Sequence, residues 1–217
     1  MNHLLSPAVI SLFLLTFGLP VAQALPLQNG NFASFAGWQG YLYDGASSTA
    51  VDPATDSSHF SLLGGGQAQL ADDSTYFEVA LEQTFDLPAN ALEIIFDFGW
   101  DLTSVACPPG IDFPQAVLID NGGNMLDLLD GVDRPGCAGG QPTNAGTATT
   151  AIDSLAGQTV TLQFLLQGGD DLQDTFRIGN IHITPSAPPI PVPATLLLFS
   201  SGLLGLVFRQ WQFSRRG

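Results

Sequence analysis

The stretch Leu92-Glu-Ile-Ile-Phe-Asp-Phe-Gly-Trp-Asp101 alternates apolar and acidic side chains, and that alternation constrains the fold more than any other feature. Successive side chains of an extended strand point to opposite faces, so Leu92, Ile94, Phe96, Phe98 and Trp100 share one face while Glu93, Asp97 and Asp101 share the other. Val160, Leu162, Phe164 and Leu166 repeat the pattern opposite Thr161, Gln163 and Gln167. Phe77, Val79, Leu81 and Phe85 do so opposite Glu78, Glu82 and Thr84. Ala116 to Ile119 is apolar on both faces and reads as a central strand, which turns through Asp120-Asn-Gly-Gly-Asn124 into Met125 to Leu129 as a hairpin. With Trp38 to Tyr43, Phe60 to Leu63 and Gly146 to Ile152, these segments predict eight to ten strands. The 24 Gly and 15 Pro suit short strands joined by many turns. We therefore expect an all-β sandwich with a single core over residues 25–185. In its last strand the parity slips, since Phe176 and Ile178 are even and Ile181 and Ile183 odd, and a bulge at Gly179-Asn180 would return both pairs to the core.

Charge excludes one class of partner. All twenty acidic side chains lie between Leu25 and Ile190, against only Arg134 and Arg177, a formal charge of −18. Such a surface repels a polyanion of phosphates and offers no basic groove, so no nucleic acid partner is expected.

The two ends read as processing signals. Residues 1–24 hold an apolar run from Ala8 to Leu19, then Pro20 and the small-residue exit Ala22-Gln23-Ala24, the pattern that signal peptidase cuts, so the mature chain is expected to start at Leu25. After the Pro-rich linker 186–193, the run Ala194 to Phe208 is uncharged. With Arg209 snorkelling and Trp211 in the headgroup layer, residues 194–213 are expected to form a transmembrane helix, with 214–217 as a basic cytoplasmic tail. Arginines 209, 215 and 216 follow the run and the acids precede it, which places the domain outside and the C-terminus in the cytoplasm.

The order Pro-x-Pro, apolar helix, terminal arginines resembles the PEP-CTERM sorting tail of Gram-negative bacteria. The resemblance covers about 25 residues, with Pro191, Val192 and Pro193 at the motif and Val192 where the name-giving Glu stands. It implies a membrane-anchored precursor read by the membrane protease exosortase and released to the cell surface or matrix. Leu27-Gln-Asn-Gly-Asn-Phe-Ala-Ser-Phe-Ala-Gly-Trp38, Leu81-Glu-Gln-Thr-Phe-Asp-Leu-Pro88 and Asp174-Thr-Phe-Arg-Ile-Gly-Asn-Ile-His-Ile183 look like strands of jelly-roll, galactose-binding-like domains akin to carbohydrate-binding modules. In that family a Glu and an Asp serve a structural calcium; here Ala33 and Gly179 occupy those positions.

Several residues are candidates for chemistry. Cys107 and Cys137 are the only cysteines, and export favours a disulfide between them. The clusters Asp170, Asp171 and Asp174, and Asp127, Asp130 and Asp133, are carboxylates of the type calcium takes, although solvated acidic loops give the same spacing. No cofactor fingerprint, EF-hand or Gly-x-Ser-x-Gly elbow is present. Of the exported histidines, His182 should point outward and His59 sits beside Asp56 in a loop. Aromatic faces stack on sugar rings, which makes Trp38, Trp100, Tyr41, Tyr43 and Tyr76 candidate platforms. Trp38 and Trp100 read better as core, whereas Tyr41 and Tyr43 share a parity that could expose them together. The expected function is that of a non-catalytic surface or matrix protein that binds a glycan or exopolysaccharide. A purely structural coat or biofilm component and a secreted hydrolase are the rival readings.

Overall fold

The computed structural model describes residues 26–102, 113–134, 143–168 and 173–186. The expected signal peptide, the two cysteines, Asp170 and Asp171, the Pro191-Val192-Pro193 motif and the 194–213 segment lie outside the described residues. Among the described residues no helix is long and apolar enough to cross a membrane.

Among the described residues eleven strands form two antiparallel sheets: β1 (Gln39–Tyr43), β2 (Ser48–Val51), β3 (Phe60–Leu63), β4 (Gln67–Ala71), β5 (Glu78–Asp86), β6 (Ala91–Asp101), β7 (Phe113–Asp120), β8 (Met125–Asp127), β9 (Thr143–Ala151), β10 (Thr159–Gln167) and β11 (Thr175–Pro185). One sheet has the order β2-β1-β5-β10-β7-β8 and the other β3-β4-β11-β6-β9. Strands β4 to β11 follow jelly-roll order. Apart from the β7–β8 hairpin, each successive strand crosses to the opposite sheet, and the closing strand β11 lies between β4 and β6.

Period-two patterning explains which faces meet. Val160, Leu162, Phe164 and Leu166 of β10 and Ile94, Phe96, Phe98 and Trp100 of β6 are buried between the sheets, with Phe164 at the junction. Its ring lies 5.4 Å from Phe96, 6.3 Å from Phe176 and 6.1 Å from Trp38. Gly40 faces this layer, and a Cβ there would stand 2.9 Å from the Phe60 ring, so glycine lets β1 close over the aromatic core. Trp38 and Trp100 are core residues, and the former's indole Nε1 has no hydrogen-bond partner among the described residues.

The closing strand resolves its parity slip as expected. Asn180 has φ +52°, the kink that lets Phe176 and Ile178 on one side and Ile181 on the other all reach the core. Two expected core residues are not in it. Leu92 is 40% exposed because it sits near the start of β6, at the margin of the sheet, and Phe77 is 39% exposed because β5 begins one residue later. The β7–β8 hairpin forms, with the Asp120 carboxylate accepting the amides of Gly122 and Asn124. Strand β8 stops at Asp127, however, and Leu128 and Leu129 fold into the core through a turn.

Candidate functional site

Sheet β2-β1-β5-β10-β7-β8 turns its second face outward, and strand register assembles a cleft there. Tyr41 pairs with Ala80, and Ala80 with Leu165, so the two larger side chains flank a small one. Tyr43 pairs with Glu78 and Ser48, and Glu82 pairs with Gln163. These eight residues, Tyr41, Tyr43, Ser48, Glu78, Ala80, Glu82, Gln163 and Leu165, line a cleft of about 310 Å³. Ala80 makes the depression because its neighbours across both adjacent strands are larger. The size is at the small end of ligand sites, which run roughly 300–1,000 Å³.

The polar groups of the cleft are held in place. The Gln163 side-chain amide donates to the Glu82 carboxylate, which fixes both across the β5–β10 seam. The Tyr43 hydroxyl donates to the Gly45 carbonyl at 2.9 Å, which anchors that ring against the β1–β2 turn. That turn is itself tied by Asp44, whose carboxylate accepts the Ser47 and Ala46 amides and is held below its ordinary pKa by them. Tyr41 lines the cleft and makes no such bond among the described residues. The same sheet face continues to Phe113, over which the Arg134 guanidinium sits at 5.0 Å while pairing with Asp127.

Of the residues singled out from sequence, Tyr41 and Tyr43 are brought together and half-buried on one cleft wall. The cleft partners Glu78, Glu82 and Gln163 were legible as outward-facing but not as neighbours of the tyrosines, because register between distant strands is not written in local pattern. His182 is exposed, as expected.

The acidic loops are less simple than solvated turns. Asp174 is fully buried, its amide donating to the Asp72 carboxylate at 2.6 Å, and Asp72 is buried as well. Asp127 is engaged by Arg134 and by the Leu129 amide, whereas Asp130 and Asp133 are exposed. Among the described residues no group of three or more His, Cys, Asp or Glu side chains could hold a metal ion. The Asn31 side chain accepts the Ala33 amide at 3.3 Å.

His59 lies in the turn just ahead of β3, as expected, but is 6% exposed there. Its Nδ1 lies 3.0 Å from both Asp56 oxygens and its Nε2 3.2 Å from Asp73, and Tyr76 packs edge-on against the ring at 5.2 Å. Burial works against the Asp73 carboxylate, but the amides of Tyr76 and Thr75 together with His59 outweigh it and leave its pKa lowered. The imidazole thus clamps the Asp52–Phe60 turn to the β4–β5 connection.

No protein-family model and no curated protein matches the chain. Solved structures resemble it in 41 chains. The carbohydrate-binding module TmCBM61, solved with β-1,4-galactotriose, is 16% identical over 74% of this chain and 97% of that one, at a TM-score of 0.44. A family 11 carbohydrate-binding module from Clostridium thermocellum, solved with a β-1,3-1,4-mixed-linked tetrasaccharide, is 12% identical over 76% of this chain and 96% of that one, at 0.39. The enzymatically active domain of bacteriophage CBA120 tailspike protein 4 is 13% identical over 72% of this chain and 20% of that one, at 0.39.

Proposed function

We propose that this chain is an exported, non-catalytic glycan-binding protein of the cell surface or extracellular matrix, carrying a jelly-roll domain on an exosortase-type sorting tail. The observation that carries the binding activity is the cleft in which Tyr41 and Tyr43 form one wall beside the small Ala80 floor. An aromatic wall takes the C–H face of a pyranose, and the carboxylates of Glu78 and Glu82 with the Gln163 amide accept and donate to its hydroxyls. Two carboxylates in the cleft disfavour an acidic sugar, so the ligand of this face is a neutral saccharide, such as a segment of exopolysaccharide.

Two features support a binding rather than a catalytic role. Glu78 and Glu82 stand four residues apart on one strand, roughly 13 Å at about 3.3 Å per residue, beyond the ~5–9.5 Å of paired glycosidase carboxyls. Both ring nitrogens of His59 face carboxylates, so neither is directed at a hydroxyl nucleophile. The export and sorting parts of the proposal rest on residues 1–24 and 186–217 as read from sequence.

The test is a glycan array probed with the full chain in detergent micelles, with and without calcium. Binding to neutral saccharides supports the proposal. No retained glycan, the host's own exopolysaccharide included, leaves the structural-component reading ahead, and turnover that disappears on replacing Asp56 or His59 would establish a hydrolase.

A further inference from the structure

The exported domain has two cations, and they are treated differently by the fold. Arg134 is paired with Asp127. The Arg177 side chain, on the outer face of the other sheet, makes no ion pair and no hydrogen bond among the described residues, and its Nε is shielded from solvent with no acceptor. This is unexpected in a domain of twenty acids, and local structure accounts for it. Asp97, which projects from the same face of β6, is taken up by the Asn180 side-chain amide and the Thr147 hydroxyl, both at 2.7 Å, and these hold its carboxyl below the ordinary pKa. Asp101 shares a cleft with Arg177 but is not within ion-pair distance of it.

The guanidinium is also seated. It crosses Gly99 of β6, where an added Cβ would stand 3.6 Å from both Nε and Nη2. Beyond it opens a cleft of about 400 Å³ lined by Arg177, Asp101, Thr143, Asn144, Ala145 and Trp100. A planar fork whose buried Nε has no acceptor among the described residues, laid over Gly99 and flanked by Thr143 and Asn144, has the chemistry of an oxyanion receptor.

We propose that this cleft is a second saccharide site, separate from the tyrosine cleft on the opposite sheet, which receives the carboxylate or sulfate of an acidic sugar on Arg177. The domain's net charge repels a dense polyanion, but that repulsion is screened beyond roughly 8–10 Å in physiological salt, so the ligand is a chain with sparse acidic groups among neutral residues.

The experiment titrates the full chain, in detergent micelles, with a glucuronate-bearing xylo-oligosaccharide, with the same oligosaccharide lacking the glucuronate, and with sodium sulfate. The acid-bearing sugar should bind at least tenfold more tightly than the neutral one, with a preference that shrinks as salt rises. Arg177→Gln should erase the preference, and Arg177→Lys should keep part of it. Asp101→Asn, an exposed change that does not threaten folding, should strengthen acid binding several-fold by removing the neighbouring carboxylate. If sulfate competes as well as the sugar acid does, the oxyanion alone is recognised and a free anion is an equal source. Equal binding of acidic and neutral sugars by the unaltered chain, or an undiminished preference in a folded Arg177→Gln variant, would overturn the proposal. Loss of neutral-sugar binding at the tyrosine cleft would not bear on it.

Discussion

Replacing Phe164 with alanine removes the ring on which Phe96 and Phe176 of the facing sheet and Trp38, just ahead of β1, converge. The residue is fully buried on a strand with neighbours on both sides, so the sandwich cannot collapse into the space without moving a sheet. Buried Phe→Ala changes cost about 3–5 kcal/mol, and the edge-to-face contacts at 69° and 62° place this one near the upper end. For a domain of about 160 residues, a loss of about 4–5 kcal/mol lowers the midpoint of thermal unfolding by roughly 12–15 °C. Leu165→Ala, one residue along and on the solvent face, should cost about 1 kcal/mol and roughly 3 °C, since that side chain is only partly buried. Calorimetry of the full chain measures both, and urea titration followed by the fluorescence of the buried tryptophans gives an independent value. A Phe164→Ala variant within 1 kcal/mol of the parent, or a Leu165→Ala variant that loses as much, would refute the assignment of faces on β10.

Three other expectations are open to simple measurement. Because the folded-state pKa of Asp73 lies below its unfolded value of about 3.9, its stabilising effect is fully present above that pH and fades as pH falls through the folded value. Asp73→Asn should therefore lower the unfolding midpoint at neutral pH, with the gap closing in acid; a gap that widens in acid would contradict the clamp. Thiol titration of the unfolded, non-reduced protein should find no reactive cysteine, since a Cys107–Cys137 bond would close a loop of about 30 residues and add roughly 3–4 kcal/mol; two titratable thiols would rule it out. N-terminal sequencing of protein from its own host should begin at Leu25, and intact mass in a host with an exosortase should lack Trp211 and Arg216. An intact Met1, or a retained tail, would remove the corresponding processing step.

What the sequence made legible follows from how much apolar surface each strand buries. Strands β6 and β10 have large side chains at every second position, so their core faces are readable without a structure. Strand β4 buries Ala68 and Leu70, and β2 contributes only half-buried Val51, so these short elements carried too little signal to be counted. Edge strand β9 buries Ala148 alone, and its start at Thr143 lies three residues ahead of the expected Gly146 for that reason. The bulge at Asn180 was readable because a change of parity inside one strand has few other solutions. At the cleft, parity alone paired Tyr41 with Tyr43 within β1. Their opposition to Ala80, Glu78 and Leu165 depends on which strands neighbour each other, and the burial of Asp72 against Asp174, 102 residues apart, depends on the same long-range topology.

The central claim is that the outer face of the β1–β5–β10 seam holds a neutral saccharide through Tyr41 and Tyr43. Isothermal titration of the full chain with a neutral oligosaccharide retained on the array, compared with Tyr41→Ala and Tyr43→Ala, tests it most directly. Each ring is expected to contribute about 0.5–1.5 kcal/mol of stacking, so each variant should weaken binding by roughly 2- to 12-fold, and the double variant should abolish it while the domain stays folded, with its unfolding midpoint lowered by several degrees. Undiminished affinity in the folded double variant would place the saccharide elsewhere and contradict the account.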